Sequence, residues 1–276
     1  MSLADTVVHA QLEVEGCTAE LWLNGIPVSR IVSSPTRIPI ENIAVHQLIV
    51  PGTNMLEVLI EPGESPSVAR TDRREVRFEK KLGATARLIR FREGVPGQVS
   101  EGELLSETSY RWEDDSVPAR IFPESSAMQV EMGAAYGRWA WQDAPDLVMG
   151  DALRQEANHV LAEIEAAIVG MHTQRFWDLT ELQVRDVMRA YPAVTEEYLR
   201  SDLETMFGAY RNAPRPVLPR AVENQDYRLV AGGKMLQCID RDYSSTFKLR
   251  DLNDASSFVS YSIFLARIDG ELRVVR

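Results

Sequence analysis

Apolar and polar residues alternate along the first half of the chain, and turn-forming residues interrupt the alternation at short intervals. Residues 8–14 carry an apolar side chain at every second position, as one face of a strand does. Residues 21–28 contain an Asn-Gly pair between two apolar runs, which predicts a hairpin because both central residues of a type I′ turn need positive φ. Similar runs continue as far as residues 137–141, a pattern typical of a β-sandwich or jelly roll.

The spacing changes in the middle of the chain. From Asp151 onward, apolar residues recur every three or four positions, which predicts a helix over residues 152–172 with Asp151 as its N-cap. Asp178 is expected to begin a second helix, which Pro192 ends. Residues 195–208 form the third predicted helix.

Alternation returns after the proline-rich connector of residues 211–219. The Gly-Gly pair at 232–233 predicts a hairpin, and residues 258–268 predict one long strand. We therefore predict two domains. Residues 1–145 form an all-β sandwich or jelly roll, and residues 146–276 form an α+β domain whose three helices pack on an antiparallel meander sheet.

The turn chemistry of residues 19–62 resembles that of the galactose-binding-like jelly roll, an accessory domain of many glycoside hydrolases. In that family an Asn-Gly turn follows an aromatic-bearing strand, and a turn of the Pro-Gly-x-Asn kind precedes a later strand. The matching positions are Trp22, Asn24, Gly25, Gly52, Asn54 and Leu56. The resemblance implies a jelly roll, but these residues form turns and are not ligand contacts. Only one predicted strand precedes the Asn-Gly turn, where the family has several, so a differently wired sandwich is an equal alternative.

The second predicted domain resembles, in architecture, the α+β domains of the nuclear-transport-factor-2-like type. Those domains have a long first helix, further helices and a curved antiparallel sheet at the C-terminus. The resemblance implies a cone-shaped domain. Some members are enzymes with a polar residue at the base of the cone, and many only bind or dimerise. The family usually has a strand hairpin among its helices, and residues 170–210 show none.

Charge and cysteine content narrow the classes of function. The chain of 276 residues has a formal net charge of −11, which repels phosphate backbones and anionic lipids, so we expect neither a nucleic-acid nor a membrane partner. Cys17 and Cys238 are too few for a disulfide scaffold, and we expect two reduced thiols in a cytoplasmic protein. No ligand spacing predicts a metal site, and no motif predicts a cofactor.

Three aromatic residues near the end of the first domain are candidate ligand contacts. Trp139 and Trp141 are two positions apart on a predicted strand, so they would face the same side, with Tyr136 just before them. Stacked aromatic rings on a sheet face can hold a sugar ring or a peptide. The alternative is that this face belongs to the core or docks the second domain.

A second candidate site is a pocket between the helices and the sheet of the second domain. The predicted polar rim, where a ligand could enter, consists of Asp240, Arg241, Asp242 and Tyr243. Its predicted aromatic lining consists of Tyr198, Phe207, Tyr227, Phe247, Tyr261 and Phe264. The alternative is that these side chains fill a core.

These observations favour a non-catalytic binding or scaffolding protein. Its β-sandwich would recognise a protein or an oligosaccharide, and its α+β domain would carry a pocket or a homo-oligomer face. The first alternative is a small-molecule hydrolase or isomerase that uses Asp240, Asp242, His172 or Tyr243 in the cone. The second is a secretion- or toxin-associated accessory protein whose acidic surface caps a basic partner.

Overall fold

The computed structural model describes most of the chain: residues 6–33, 38–61, 73–76, 81–92, 102–112, 119–133, 137–211, 213, 217–254 and 257–276. As predicted, this part of the chain is rich in strands and contains three helices and several antiparallel sheets. Its contacts divide it into two compact units, Met1–Arg138 and Trp139–Arg276, which we refer to as the N-terminal and C-terminal units.

The described part of the N-terminal unit consists of strands and one short 3₁₀ helix, His46–Leu48. Two four-stranded antiparallel sheets, ordered β4-β1-β7-β8 and β10-β5-β2-β3, pack against each other, and β6 pairs with β9. The strands are β1 (Thr6–Glu15), β2 (Thr18–Leu23), β3 (Ile26–Val32), β4 (Ile40–Ala44), β5 (Gly52–Glu61), β6 (Arg74–Val76), β7 (Leu82–Arg92), β8 (Glu103–Trp112), β9 (Arg120–Phe122) and β10 (Glu124–Met132).

The predicted Asn-Gly hairpin joins β2 to β3. Leu23 pairs with Ile26, and the two residues between them adopt positive φ, 54° at Asn24 and 73° at Gly25. Such backbone angles are easy for glycine and are tolerated by asparagine better than by most other residues. The hairpin prediction is therefore confirmed.

A side-chain clasp ties this hairpin to the turn before β5. Asn54 is fully buried; its Oδ1 accepts hydrogen bonds from the side chain of Asn24 and the backbone N–H of Val50, and its Nδ2 donates to the carbonyls of Val50 and Gly52. Asn24 in turn accepts from the N–H of Met55 at 2.9 Å. Both amide groups of the clasp are thus hydrogen-bonded on their oxygen and nitrogen sides.

The C-terminal unit begins with a short 3₁₀ helix and contains all three α-helices. One sheet has the order β11-β12-β15-β16, and β13 pairs with β14. The elements are the 3₁₀ helix Ala140–Asp143, α1 (Asp151–Val169), α2 (Thr173–Ala190), α3 (Glu196–Arg211), β11 (Gln225–Val230), β12 (Met235–Asp240), β13 (Phe247–Arg250), β14 (Phe258–Tyr261), β15 (Ile263–Ile268) and β16 (Glu271–Val274).

A single apolar core joins the helices to the sheet of this unit. The buried stripe of α1 includes Leu153, Ala157, Leu161 and Ile164, spaced by three and four residues as the sequence predicted. It belongs to one cluster with buried residues of β12, β13, β15 and β16. Cys238 is in this cluster; it and Cys17 are free thiols, and both are buried.

The starts of two helices differ from the prediction. The N-cap of α1 is Gly150, so Asp151 is already the first helical residue. Met171, at φ 48°, breaks the direction of the chain, and α2 begins at Thr173 instead of Asp178. Asp178 lies inside α2, where the side chain of Gln174 donates to it at 2.6 Å over one helical turn.

The single long strand predicted over residues 258–268 is wrong. The chain divides at Ser262, because β14 pairs with β13 whereas β15 pairs with β12. Because the sequence on both sides of Ser262 is typical of a strand, its pattern did not indicate that the pairing strand changes there. The division leaves β13 and β14 as a separate pair, and the start of β13 borders the candidate site described next.

Candidate functional site

The aromatic face predicted at the end of the first domain does not exist as a strand surface. Trp141 lies in the 3₁₀ helix Ala140–Asp143, and Trp139 directly precedes it. The turn forms because the N–H of Gln142 donates to the Trp139 carbonyl while its side-chain oxygen accepts from the Trp139 N–H. Trp139 is 1% exposed and Trp141 8%, so neither ring offers a stacking surface. Tyr136 lies outside the described residues.

The predicted pocket residues inside the C-terminal unit are mostly core. The Tyr261 ring packs edge-on against Phe176, and its hydroxyl donates to the sulfur of Met206 at 2.8 Å. Burial raises the pKa of Tyr261 to about 12. Phe207, Tyr227, Phe247 and Phe264 are buried, whereas Tyr198 points outward and is 62% exposed, contrary to the prediction.

A polar cleft of about 370 Å³ opens at the end of β12 in the same unit. That volume lies at the lower end of the range for small-molecule sites. Three of the predicted rim residues, Asp240, Arg241 and Asp242, line it, and Tyr243 does not. The full lining is Leu218, Pro219, Arg220, Ala221, Asn224, Asp240, Arg241, Asp242, Thr246 and Lys248.

Backbone hydrogen bonds fix the walls of the cleft. After β12 the chain turns sharply: the N–H of Tyr243 donates to the Asp240 carbonyl at 2.9 Å, with Tyr243 at φ 67°. On one side the N–H of Arg241 donates to the Asn224 carbonyl at 2.8 Å. On the other, the N–H of Leu218 donates to the Lys248 carbonyl at 3.0 Å. The segment before β11 is therefore joined to both the turn and β13.

A linked set of polar groups, Asp240, Asp242, Ser244 and Lys248, lies on the turn side. The Lys248 ammonium is 3.1 Å from Oδ2 of Asp240 and donates to the Ser244 hydroxyl at 2.6 Å. That hydroxyl and the N–H of Ser244 both donate to Oδ1 of Asp242. The hydroxyl bond of Ser244 is the main cause that lowers the pKa of Asp242. Asp242 is therefore a permanent negative charge at neutral pH.

Arg220 forms the opposite wall, and its side chain is only 6% exposed. Its Nε lies 3.3 Å from Oε2 of Glu165, and its backbone N–H donates to Oε1 of the same carboxylate. Its Nη1 donates to the side-chain oxygens of Asn158 and Gln225. A buried arginine needs such a set of acceptors, because an unpaired charge away from water is costly.

Tyr227 completes this wall behind Arg220. Its hydroxyl lies 2.9 Å from Oδ1 of Asn158 and 3.0 Å from Oε1 of Gln225. Burial, helped by the neighbouring Cys238, raises the pKa of Tyr227 to about 12. The tyrosine is therefore neutral at physiological pH and serves as a hydrogen-bonding group.

Several buried polar atoms around the cleft have no hydrogen-bond partner among the described residues. Thr246 is 4% exposed and lines the cleft, and its Oγ1 is one of them. Oδ1 of Asp240 and Nε2 of Gln225 are two others. Buried polar groups in folded proteins are nearly always hydrogen-bonded, so each exception needs an explanation. Two of these three residues, Thr246 and Asp240, line the same cleft.

Sequence reasoning found Asp240, Arg241 and Asp242 and missed the other polar residues of the cleft. Arg220 follows the proline-rich connector, and its side-chain partners Asn158 and Glu165 are 62 and 55 residues away. Thr246 and Lys248 sit in an ordinary alternating run. The sharp turn after a strand, marked by consecutive charged residues 240–242, was the one local signal.

The described part of the chain contains neither a metal-binding cluster nor a membrane-spanning helix. No three His, Cys, Asp or Glu side chains there are grouped closely enough to hold a metal ion. None of its helices combines the length and the apolar character needed to cross a membrane. His172, named above as a catalytic candidate, is the N-cap of α2 and is not part of the cleft lining.

Comparison of the chain with models of protein families, with curated proteins and with solved structures gave no significant match.

Proposed function

We propose that this chain is a non-catalytic binding protein whose C-terminal unit takes up a small polar molecule in the cleft at the end of β12. The observation that carries the proposal is a cavity whose lining includes two residues, Thr246 and Asp240, that each hold a buried oxygen without a hydrogen-bond partner in the described chain. A ligand that draws these oxygens toward the cleft and hydrogen-bonds them would remove the desolvation cost that they impose on the free protein.

Binding explains the ionisable groups of the cleft better than catalysis does. A general acid or base works best when its pKa lies near the operating pH. The pKa of Asp242 is lowered instead, mainly by the Ser244 hydroxyl, and Asp240 pairs with Lys248. These groups are suited to present fixed charges to a ligand.

We further propose that the N-terminal unit is a sandwich of the jelly-roll type that presents a recognition surface to a protein partner, followed by an α+β domain. Two packed four-stranded antiparallel sheets support the first part, and the helices with their own sheet support the second. An oligosaccharide partner loses its main support, because Trp139 and Trp141 are buried.

A ligand-detected NMR screen tests the cleft. The whole chain would be mixed with pools of amino acids, carboxylic acids, amines, sugars and nucleosides, and each hit titrated by calorimetry. We expect at least one hit whose affinity falls by about fivefold to tenfold in Thr246→Val, the loss expected for one hydrogen bond.

Lys234 supplies a matched control for the charged residue of the cleft. Lys248→Met should weaken the same hit, whereas Lys234→Met, in the same unit but outside the cleft lining, should leave its affinity unchanged. A screen without hits, or hits that bind equally well to both cleft variants, would contradict the proposal.

A further inference from the structure

The charges of the cleft separate into those that the protein neutralises and those that remain for a ligand. Arg220 is paired with Glu165, and Lys248 with Asp240. Arg241 and Asp242 are exposed neighbours on the turn. Among the described residues Arg241 forms no ion pair, and Asp242 is held in its ionised form by Ser244. The cleft therefore offers one positive and one negative group side by side.

Unpartnered hydrogen-bonding capacity is found on the acidic side as well. The two hydrogen bonds from Ser244 both end on Oδ1 of Asp242, so Oδ2 of this exposed carboxylate can accept a further hydrogen bond. A carboxylate oxygen can only accept hydrogen bonds, so the group that matches it is a donor. An ammonium group supplies both the donors and the positive charge.

A singly charged ligand suits this cleft poorly. An anion that pairs with Arg241 must lie near Asp242, and a cation that pairs with Asp242 must lie near Arg241. Like charges repel each other at such close range. A ligand that carries both charges, a few bonds apart, avoids both penalties.

We propose that the cleft binds a small zwitterion, a molecule with a carboxylate and an ammonium group as in a free amino acid. The carboxylate would pair with Arg241, and the ammonium with Asp242. The inference rests on the proposed function and names its ligand class. A volume of about 370 Å³ accommodates a molecule of this size and leaves no room for a long peptide or oligosaccharide.

Calorimetric titration of the whole chain with each of the twenty free L-amino acids tests the inference. Each amino acid that binds is then compared with its des-amino acid, which keeps the carboxylate, and with its decarboxylated amine, which keeps the ammonium. We expect both analogues to bind about tenfold more weakly or worse, because each loses one charge-assisted contact.

Two variants assign the charges to their partners. Arg241→Gln should weaken the binding of the amino acid and the des-amino acid but not that of the amine, and Asp242→Asn should weaken the binding of the amino acid and the amine but not that of the des-amino acid. Arg185→Gln, an exposed arginine on α2 outside the cleft lining, is the matched control and should change nothing.

The outcomes separate the two proposals. If neutral or singly charged molecules bind as tightly as amino acids and Thr246→Val weakens them, the zwitterion inference is overturned and the binding function stands. If both charge variants weaken all three kinds of probe equally, the assignment of the charges is also overturned. If no probe binds in a manner that depends on the cleft residues, both proposals are overturned.

Discussion

Two sets of buried polar side chains, one in each unit, differ in whether their hydrogen bonds are complete. In the N-terminal unit, Asn54 is fully buried and uses both its oxygen and its nitrogen in hydrogen bonds. In the C-terminal unit, Thr246 and Asp240 border a cleft and each keep a buried oxygen without a partner in the described chain. The first arrangement holds two turns together. The second leaves recognition capacity for a molecule from outside.

Unpartnered atoms alone do not make a site, as Asp186 shows. Its Oδ2 accepts the N–H of Ala140, but Oδ1 has only Arg189, 3.9 Å away. Asp186 does not line the cleft, so we interpret it as a cost to stability. The comparison therefore depends on two features together, a missing hydrogen bond and an accessible cavity.

The largest effect is expected in the clasp. Asn54→Ala removes four hydrogen bonds and leaves the N–H of Val50 without its acceptor, so we expect the free energy of unfolding to fall by about 3 kcal/mol. Urea denaturation followed by circular dichroism measures it. Asn253→Ala, at an exposed asparagine, is the control and should change stability by about 0.5 kcal/mol or less. A loss for Asn54→Ala as small as that of the control would refute the clasp.

A smaller loss of stability is expected at Arg220, a buried charge that the C-terminal unit pairs with a carboxylate. Arg220→Met leaves Glu165 without its cation, and because that carboxylate is 27% exposed we expect a loss of about 2 kcal/mol rather than the full cost of breaking a buried pair. Arg175→Met breaks an exposed pair with Glu163 and should cost about 0.5 kcal/mol. Equal losses in the two variants would show that the pair of Arg220 and Glu165 stabilises the fold no more than an exposed ion pair does.

Two buried threonines of the C-terminal unit offer a direct comparison. Thr246 has an unpartnered hydroxyl, so Thr246→Val should raise the free energy of unfolding by about 1 kcal/mol in the absence of ligand. Thr180 donates to the Phe176 carbonyl at 2.8 Å, and Thr180→Val should lower it by about 1 kcal/mol. Thermal and urea unfolding of both variants provide the test. A lower free energy of unfolding for Thr246→Val would contradict the expected difference between the two threonines.

The smallest effect depends on pH. Burial is the main cause that raises the pKa of Asp186, so folded protein holds this proton more tightly than unfolded chain does. The free energy of unfolding should therefore fall as pH rises from the ordinary aspartate pKa of about 4 to the raised value, and stay level above it. Asp186→Asn removes this dependence and should be more stable at pH 7, by about 1 kcal/mol or less.

The pH profile of Asp186→Asn should be read as a difference from the unsubstituted protein, since the other carboxylates then cancel. Asp178→Asn, an exposed residue of the same helix, supplies the reference. A stability difference that does not shrink as the solution is acidified would contradict the assignment.

Sequence patterns anticipated the clasp far better than the cleft. Asn24 lies in a turn and Asn54 closely follows the Pro51-Gly52 turn signal, where local chemistry restricts the residue types, so both positions could be identified in the sequence although their contact could not. The cleft is assembled from a connector, a turn and a strand that are distant in sequence. The partners of Arg220 lie on α1, and no periodicity in the sequence predicts contacts between segments so far apart. The Trp139–Trp141 prediction failed because alternation over five residues does not distinguish a strand from a 3₁₀ turn.

The attachment of Arg220 to α1 has a consequence for motion. Asn158 and Glu165 are seven residues apart, two turns along one face of the helix, and both contact the same guanidinium or its backbone. One wall of the cleft is therefore attached to α1, whose apolar face packs in the core of the unit. Occupancy of the cleft should consequently slow the exchange of α1 amide protons with deuterated solvent, even though α1 itself borders no part of the opening.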